Sequence, residues 1–168
     1  MTDWTTRAET AADIEVIRAV TAAAFETPAE ADLVDALRAD PAWIEGLSVV
    51  AVTDDGTVAG HALLTRCHIG DVPALCLAPC SVAPAHQRTG AGSAAIRAAL
   101  DAARAMGEAF VVVLGHHTYY PRFGFRRASE SSIRLPIEVP DEAAMALTLD
   151  PARPLPSGTI RYAAPFGI

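Results

Sequence analysis

The chain has 168 residues, 51% of them apolar, with a mean hydropathy of +0.25, which is the length of one ordinary domain with ample material for a core. Its 13 basic residues, all arginine, stand against 20 acidic ones for a net charge of -7, which argues against a nucleic-acid surface and allows a cationic partner. No uninterrupted apolar stretch of about 18 residues occurs, and Met1-Thr2-Asp3-Trp4 lacks the basic start and apolar centre of a secretory leader, so a cytoplasmic protein with no membrane contact is expected.

Thr5 to Glu9 reads as a first strand, and Thr10 as the cap of a helix carrying Ile14, Val16, Ile17, Val20 and Phe25 at apolar spacing. A second short helix runs from Ala29 to Leu37 and is broken by Asp40-Pro41. Leu47 to Val52 reads as a strand, Asp54-Asp55-Gly56-Thr57 as a hairpin turn, and Val58 to Cys67 as the antiparallel partner. Leu75 to Val82 has the length of a buried strand, yet it contains Pro79. Proline cannot donate to a ladder, so it predicts a bulge, an abandoned pairing, or simply the strand's end. Cys67, Cys76 and Cys80 fall within these strands without zinc-type spacing and read as reduced packing thiols, with no metal site and no disulfide.

After Ala83-Pro84-Ala85-His86 comes Gln87-Arg88-Thr89-Gly90-Ala91-Gly92, which opens a helix pattern through Ala94, Ala95, Ile96, Ala99, Leu100 and Ala103 and stops at Gly107. Two glycines spaced by one residue let the backbone turn tightly. The unpaired N–H groups of the helix's first turn then face an anion, with Arg88 beside them. The loop lacks the Gly-Lys-Ser/Thr ending of a Walker loop and the third glycine of a dinucleotide fingerprint, and alone it is equally a plain helix start. Phe110-Val111-Val112-Val113-Leu114 follows as a strand buried on both faces. Beyond it lies Tyr119-Tyr120-Pro121-Arg122-Phe123-Gly124-Phe125. Pro151 to Pro156 is a proline-rich connection, and Thr159 to Tyr162 reads as a returning edge strand.

Two motifs in this order resemble the GNAT superfamily of N-acetyltransferases, and its YhbS-like branch in particular. The first is the pyrophosphate loop, matched by Gln87, Gly90 and Gly92; the second is a tyrosine ahead of a Gly-Phe pair, matched by Tyr120 with Gly124-Phe125. The resemblance implies a mixed α/β fold: a mostly antiparallel central sheet flanked by helices, with the central strands splayed. Residues 1–168 are expected to form a single such domain. It implies acetyl-coenzyme A as co-substrate, held by Ser81, Val82, Gln87, Arg88, Thr89, Gly90, Ala91, Gly92 and Ser93. It also implies Tyr120 as the acid that protonates the leaving thiol, and a small-molecule or peptide amine as acceptor near residues 25–31 and 129–142.

Acyl transfer from a thioester is mainly a matter of positioning, since the acyl group is already activated. Backbone N–H groups around Cys80, Ser81 and Val82 are candidates to polarise the thioester carbonyl. The strand from Ala74 to Val82 holds no carboxylate, whereas many relatives of the resembled family place a glutamate there. The base is left to His116, His117, Glu26 or a water chain. Direct transfer to the amine is preferred over an acyl-enzyme on Cys80 or Ser81. A catalytically silent acyl-coenzyme A-binding module is the alternative, and a homodimer through the C-terminal strands is compatible with the sequence.

Overall fold

The computed structural model describes residues 4–168, so the reading of Met1 to Asp3 lies outside the described residues. β1 (Thr5–Ala8) leads through a 3-10 turn into α1 (Ile14–Phe25), and α2 (Ala29–Arg38) follows. Then come β2 (Ser48–Val52), β3 (Val58–Ile69), β4 (Val72–Val82), α3 (Ala91–Ala105) and β5 (Phe110–Leu114). Two short strands, β6 (Arg126–Arg127) and β7 (Ile133–Arg134), precede β8 (Ala144–Thr148) and β9 (Gly158–Arg161). The strands form one mixed sheet in the order β1-β2-β3-β4-β5-β8-β6, with β9 pairing β3 and β7. Neighbours are antiparallel except β4 with β5 and β7 with β9, which gives the expected mixed α/β fold.

Local chemistry sets the boundaries. The Thr10 N–H donates to Asp13 Oδ2 (2.7 Å) and Arg7 Nη1 pairs with the same oxygen (2.6 Å). These bonds hold the Asp13 carboxyl down at about 2 and fix the entry to α1. α3 buries Ala95, Ile96, Ala99, Leu100 and Ala103 against Leu47, Val49, Leu64, Leu75 and Val111 on one face of the sheet. The other face is covered by α1 and α2, through Ile17, Val20, Val34 and Leu37. Burying Ile96 or Leu100 contributes about 1.5–3 kcal/mol each. The alanines set how close α3 lies, and a Cβ on Gly60 of β3 would come within 3.1 Å of the Ala91 carbonyl.

β3 and β4 are longer than the sequence pattern indicates, because the hairpin continues to a tight turn at Gly70-Asp71 and pairs Ile69 with Val72. The distal end of β3 takes β9 as its second neighbour, through His68↔Arg161 and Ile69↔Ile160. The Pro79 expectation resolves into both of its first two forms. On the β3 side, Leu64 pairs Leu77 and Ala62 pairs Cys80, so Ala78 and Pro79 together face Leu63 as a bulge. On the β5 side the pairing is confined to Leu75↔Val111 and Cys76↔Val112, and the remaining residues of the two strands part. β5 instead pairs along its whole length with β8.

Candidate active site

The loop ahead of α3 is shaped as an anion cradle. Arg88 and Gly90 both have positive φ, +63° and +91°, and Gly90 caps the helix. The first recorded helical bond here runs from the Ala94 N–H to the Gly90 carbonyl (2.9 Å), so the amides of Ala91, Gly92 and Ser93 have no acceptor within the helix. Trp4 braces the loop from outside: its indole N–H donates to the Thr89 carbonyl (3.0 Å) and its ring meets His86 edge-on at 5.7 Å. Gly92 lies where an added Cβ would come within 2.9 Å of Val82 Cγ2, so the helix start sits directly on the end of β4.

A cavity of about 460 Å³ opens there, and its walls include Val82, Gln87, Arg88, Gly90, Ala91, Gly92 and Ser93. Ser81 and Thr89, grouped with these by sequence, do not line it. Ser81 is buried under α1 with its hydroxyl 3.2 Å from that of Thr21, and the Thr89 hydroxyl is turned back onto the His86 carbonyl. Three further lining residues escaped the sequence reading: His86, Tyr119 and Arg122. The Tyr119 hydroxyl is 2.8 Å from Ser93 Oγ, and the Arg122 guanidinium stacks 4.3 Å from the Tyr119 ring. Two arginines, free first-turn amides and the positive end of a helix give this cavity a lining that favours an anion. Arg97 and Arg104 lie elsewhere: Arg97 stacks on Phe123 and Arg104 pairs with Asp101.

A second cavity, of about 380 Å³, begins where β4 and β5 part. Cys80 and Tyr120 line it, as do Glu30 of α2 and His116 just past β5. Tyr120 starts a 3-10 turn, and its ring packs against Gly115, just past β5, where an added Cβ would collide with it. Burial, together with Cys80 and Tyr119 beside it, holds the Tyr120 phenol above its usual range. Burial likewise pushes the Cys80 thiol up to about 12. Of the candidate bases, His116 borders this cavity, while His117 faces a separate one with Arg126 and Arg127. Glu26 sits in a left-handed conformation at the end of α1 and does not line it.

The backbone of β4 also divides between its neighbours. The Ala83 N–H donates to the Ala59 carbonyl of the residue ahead of Gly60 (2.7 Å), and the register continues through Gly60↔Val82 and His61↔Ser81. By two-residue alternation the Ser81 amide faces β3, whereas those of Val82 and Cys80 face the gap left by β5. Among the described residues no group of three or more His, Cys, Asp or Glu side chains is placed to hold a metal ion, and no helix is long and apolar enough to cross a membrane.

The sequence pattern of the acetyltransferase (GNAT) family matches residues 15–125. The chain belongs to this family. It is 38% identical over 161 residues to the uncharacterised N-acetyltransferase YjhQ of Escherichia coli strain K12, covering 91% of this chain and 88% of YjhQ. Its fold superposes with a TM-score of 0.90 on the GNAT family N-acetyltransferase YhbS from Escherichia coli in complex with CoA, at 27% identity and with 100% and 96% of the two chains covered. A GNAT family acetyltransferase from Brucella melitensis in complex with acetyl-CoA matches with a TM-score of 0.80 and 34% identity over 99% of both chains. The chain is thus an acyltransferase by family, of the branch to which its motifs pointed.

Proposed function

We propose that this acetyltransferase moves the acetyl group of acetyl-coenzyme A onto a primary amine by direct attack, with both substrates bound at once. The observation that supports this reading best is the pairing of two cavities along one strand end. Val82 and Tyr119 border the anion cradle, and their neighbours Cys80 and Tyr120 border the cavity between the parted strands. The coenzyme-bound relatives from Escherichia coli and Brucella melitensis support the choice of co-substrate. In this reading the amides of Ala91, Gly92 and Ser93 with Arg88 and Arg122 hold the diphosphate.

Acetyl-coenzyme A supplies an acyl group already activated as a thioester. The Val82 and Cys80 amides, which no β5 partner occupies, polarise its carbonyl oxygen. The amine nitrogen forms its bond to the acyl carbon, the carbon–sulfur bond breaks, and the amine's proton leaves through the solvent-facing cavity. Tyr120 gives its hydroxyl hydrogen to the departing sulfur and recovers a proton from water in the cavity, matching the one the amine released. Burial keeps that phenol protonated and so able to donate. Ser81 plays no direct part in this account beyond fixing β4 to α1.

Amine-dependent thiol release from acetyl-coenzyme A tests the proposal. Tyr120→Phe should lower turnover by about 10²–10⁴-fold while coenzyme affinity changes little. Undiminished turnover removes Tyr120 as the acid. Tight coenzyme binding with no release against any amine replaces the enzyme reading with that of a silent acyl-coenzyme A-binding module.

A further inference from the structure

Resting on the acetyltransferase reading, the acceptor's chemical class follows from what lines the second cavity. Its walls are predominantly apolar: Phe25, Leu33, Leu77, Pro79 and Leu114. Phe25 and Leu114 are 38% and 44% exposed, two of only five large hydrophobic side chains so exposed among the described residues. Both belong to the same cavity. A phenylalanine at the end of α1 and a leucine at the end of β5, both left exposed at one pocket, mark a surface shaped for an apolar occupant.

Charge supplies the other half of the argument. Glu30 is the one carboxylate in the lining. Its recorded partner is the Thr27 hydroxyl, which donates to Glu30 Oε2 (3.2 Å), and it belongs to no ion pair among the described residues. Its neighbours Asp32 and Asp35 on the same helix are, by contrast, both ion-paired, Asp32 with Arg18 and Asp35 with Arg18 and Arg38. α2 therefore keeps a single uncompensated carboxylate, and it faces the pocket that also holds Tyr120.

We propose that Glu30 draws in and positions the ammonium of a small monoamine whose body is apolar, an alkyl or arylalkyl primary amine that fits about 380 Å³ beside the acyl group; the nitrogen gives up one proton to water in the open cavity before it attacks. A second positive charge has no partner in the lining, and a sugar's hydroxyls would be buried against Leu33, Leu77 and Leu114 without acceptors. Polyamines and amino sugars are accordingly poor acceptors. Glu30 acts by binding the amine in position, and the apolar walls set the selection.

The test is thiol release by the full chain with ethylamine, 3-methylbutylamine, 2-phenylethylamine, spermidine and glucosamine. The three methylenes separating ethylamine from 3-methylbutylamine should raise kcat/KM by about fiftyfold, and spermidine and glucosamine should fall below 3-methylbutylamine and 2-phenylethylamine by about tenfold or more. Glu30→Gln, at a half-buried helix surface where folding is not at risk, should raise KM for 3-methylbutylamine at least tenfold and leave coenzyme affinity unchanged. Ligand-observed NMR of 3-methylbutylamine with the coenzyme-saturated protein should show binding that Glu30→Gln abolishes, whether or not turnover is seen. Efficient acetylation of spermidine, glucosamine or only a peptide N-terminus keeps the acetyltransferase reading and overturns this one. An unchanged KM in Glu30→Gln, or no NMR-detected amine binding, overturns it as well; absence of release with every amine sinks the enzyme reading instead.

Discussion

Gly90 allows the anion cradle to be tested with charge separated from shape. Its φ is +91°, and an added Cβ would meet nothing closer than Trp4 Nε1 at 3.8 Å. Any L-residue there is strained in its backbone without being sterically blocked, a cost of about 1–2 kcal/mol that falls on stability and is common to alanine and glutamate. Glutamate alone adds a negative charge at the wall of the 460 Å³ cavity. Two like charges about 6 Å apart at an effective dielectric of about 20 repel by about 3 kcal/mol, or roughly a hundredfold in Kd. Thermal melts without ligand should therefore show similar losses for Gly90→Ala and Gly90→Glu. Calorimetric titration with coenzyme A should show the glutamate variant binding about a hundredfold more weakly than the alanine variant. That gap should narrow in about 1 M salt, where the screening length shrinks to about 3 Å. A folded glutamate variant that binds within about threefold of the alanine variant, well inside the separation expected from like charges, would refute the placement of a diphosphate at this loop.

His61 and Cys80 give two further expectations. His61 is 1% exposed on β3, its Nε2 is 2.7 Å from Ser48 Oγ, and its Nδ1 has no partner; burial, aided by Arg38, lowers its pKa from 6.5 to about 3. The folded chain keeps this ring neutral while the unfolded chain protonates below pH 6.5, so its stabilisation is complete above 6.5 and drains as the pH falls toward 3. By pH 5 about 2 kcal/mol is lost, and denaturant unfolding of His61→Gln should lose that slope between pH 6.5 and 5 even though its absolute stability is lower; an unchanged slope would contradict the buried neutral ring. Cys80, with its thiol lifted to about 12, is almost wholly protonated at neutral pH and a poor nucleophile, so Cys80→Ala should leave turnover within a few fold. Mass spectrometry of the native protein quenched during turnover should find no acetylated Cys80, and a stable acetyl adduct on that residue would overturn direct attack.

What the sequence carried was mostly local. The Gly90 and Gly92 spacing and the alanine-rich helix behind it announce the cradle because positive φ and close approach are demands on single residues. Pro79 announces the bulge because a missing N–H is a property of one residue. β8 was harder to read: Ala144-Met145-Ala146-Leu147 has helix-forming composition, and it is a strand because five consecutive residues pair with β5. Tertiary pairing overrides propensity there. Tyr119 and Arg122 were missed as cavity walls for a similar reason, since the Ser93–Tyr119 contact joins residues 26 apart in sequence. Glu30 was hidden among nineteen other acids, and what sets it apart is tertiary: it is the one carboxylate that lines the cavity with Tyr120.

The position of the site can be traced to one interruption in the sheet. A strand that kept its β3 register through residues 78 and 79 would also keep offering its other edge to β5, and the gap would zip shut. The two-residue bulge takes up an extra residue against Leu63 and reverses which side chains face each layer. Beyond it, Cys80 and Val82 pack toward α3 while Ser81 turns under α1 to meet Thr21. The same shift leaves the alternate amides of the strand end without a β5 partner, and Gly60 and Gly92 then bring the start of α3 against that end. β8 pairs the other edge of β5 along its whole length, which anchors β5 in the sheet although it meets β4 at only two register positions. The cost of the broken ladder is thereby confined to a few backbone groups, and those are the groups a thioester carbonyl would occupy.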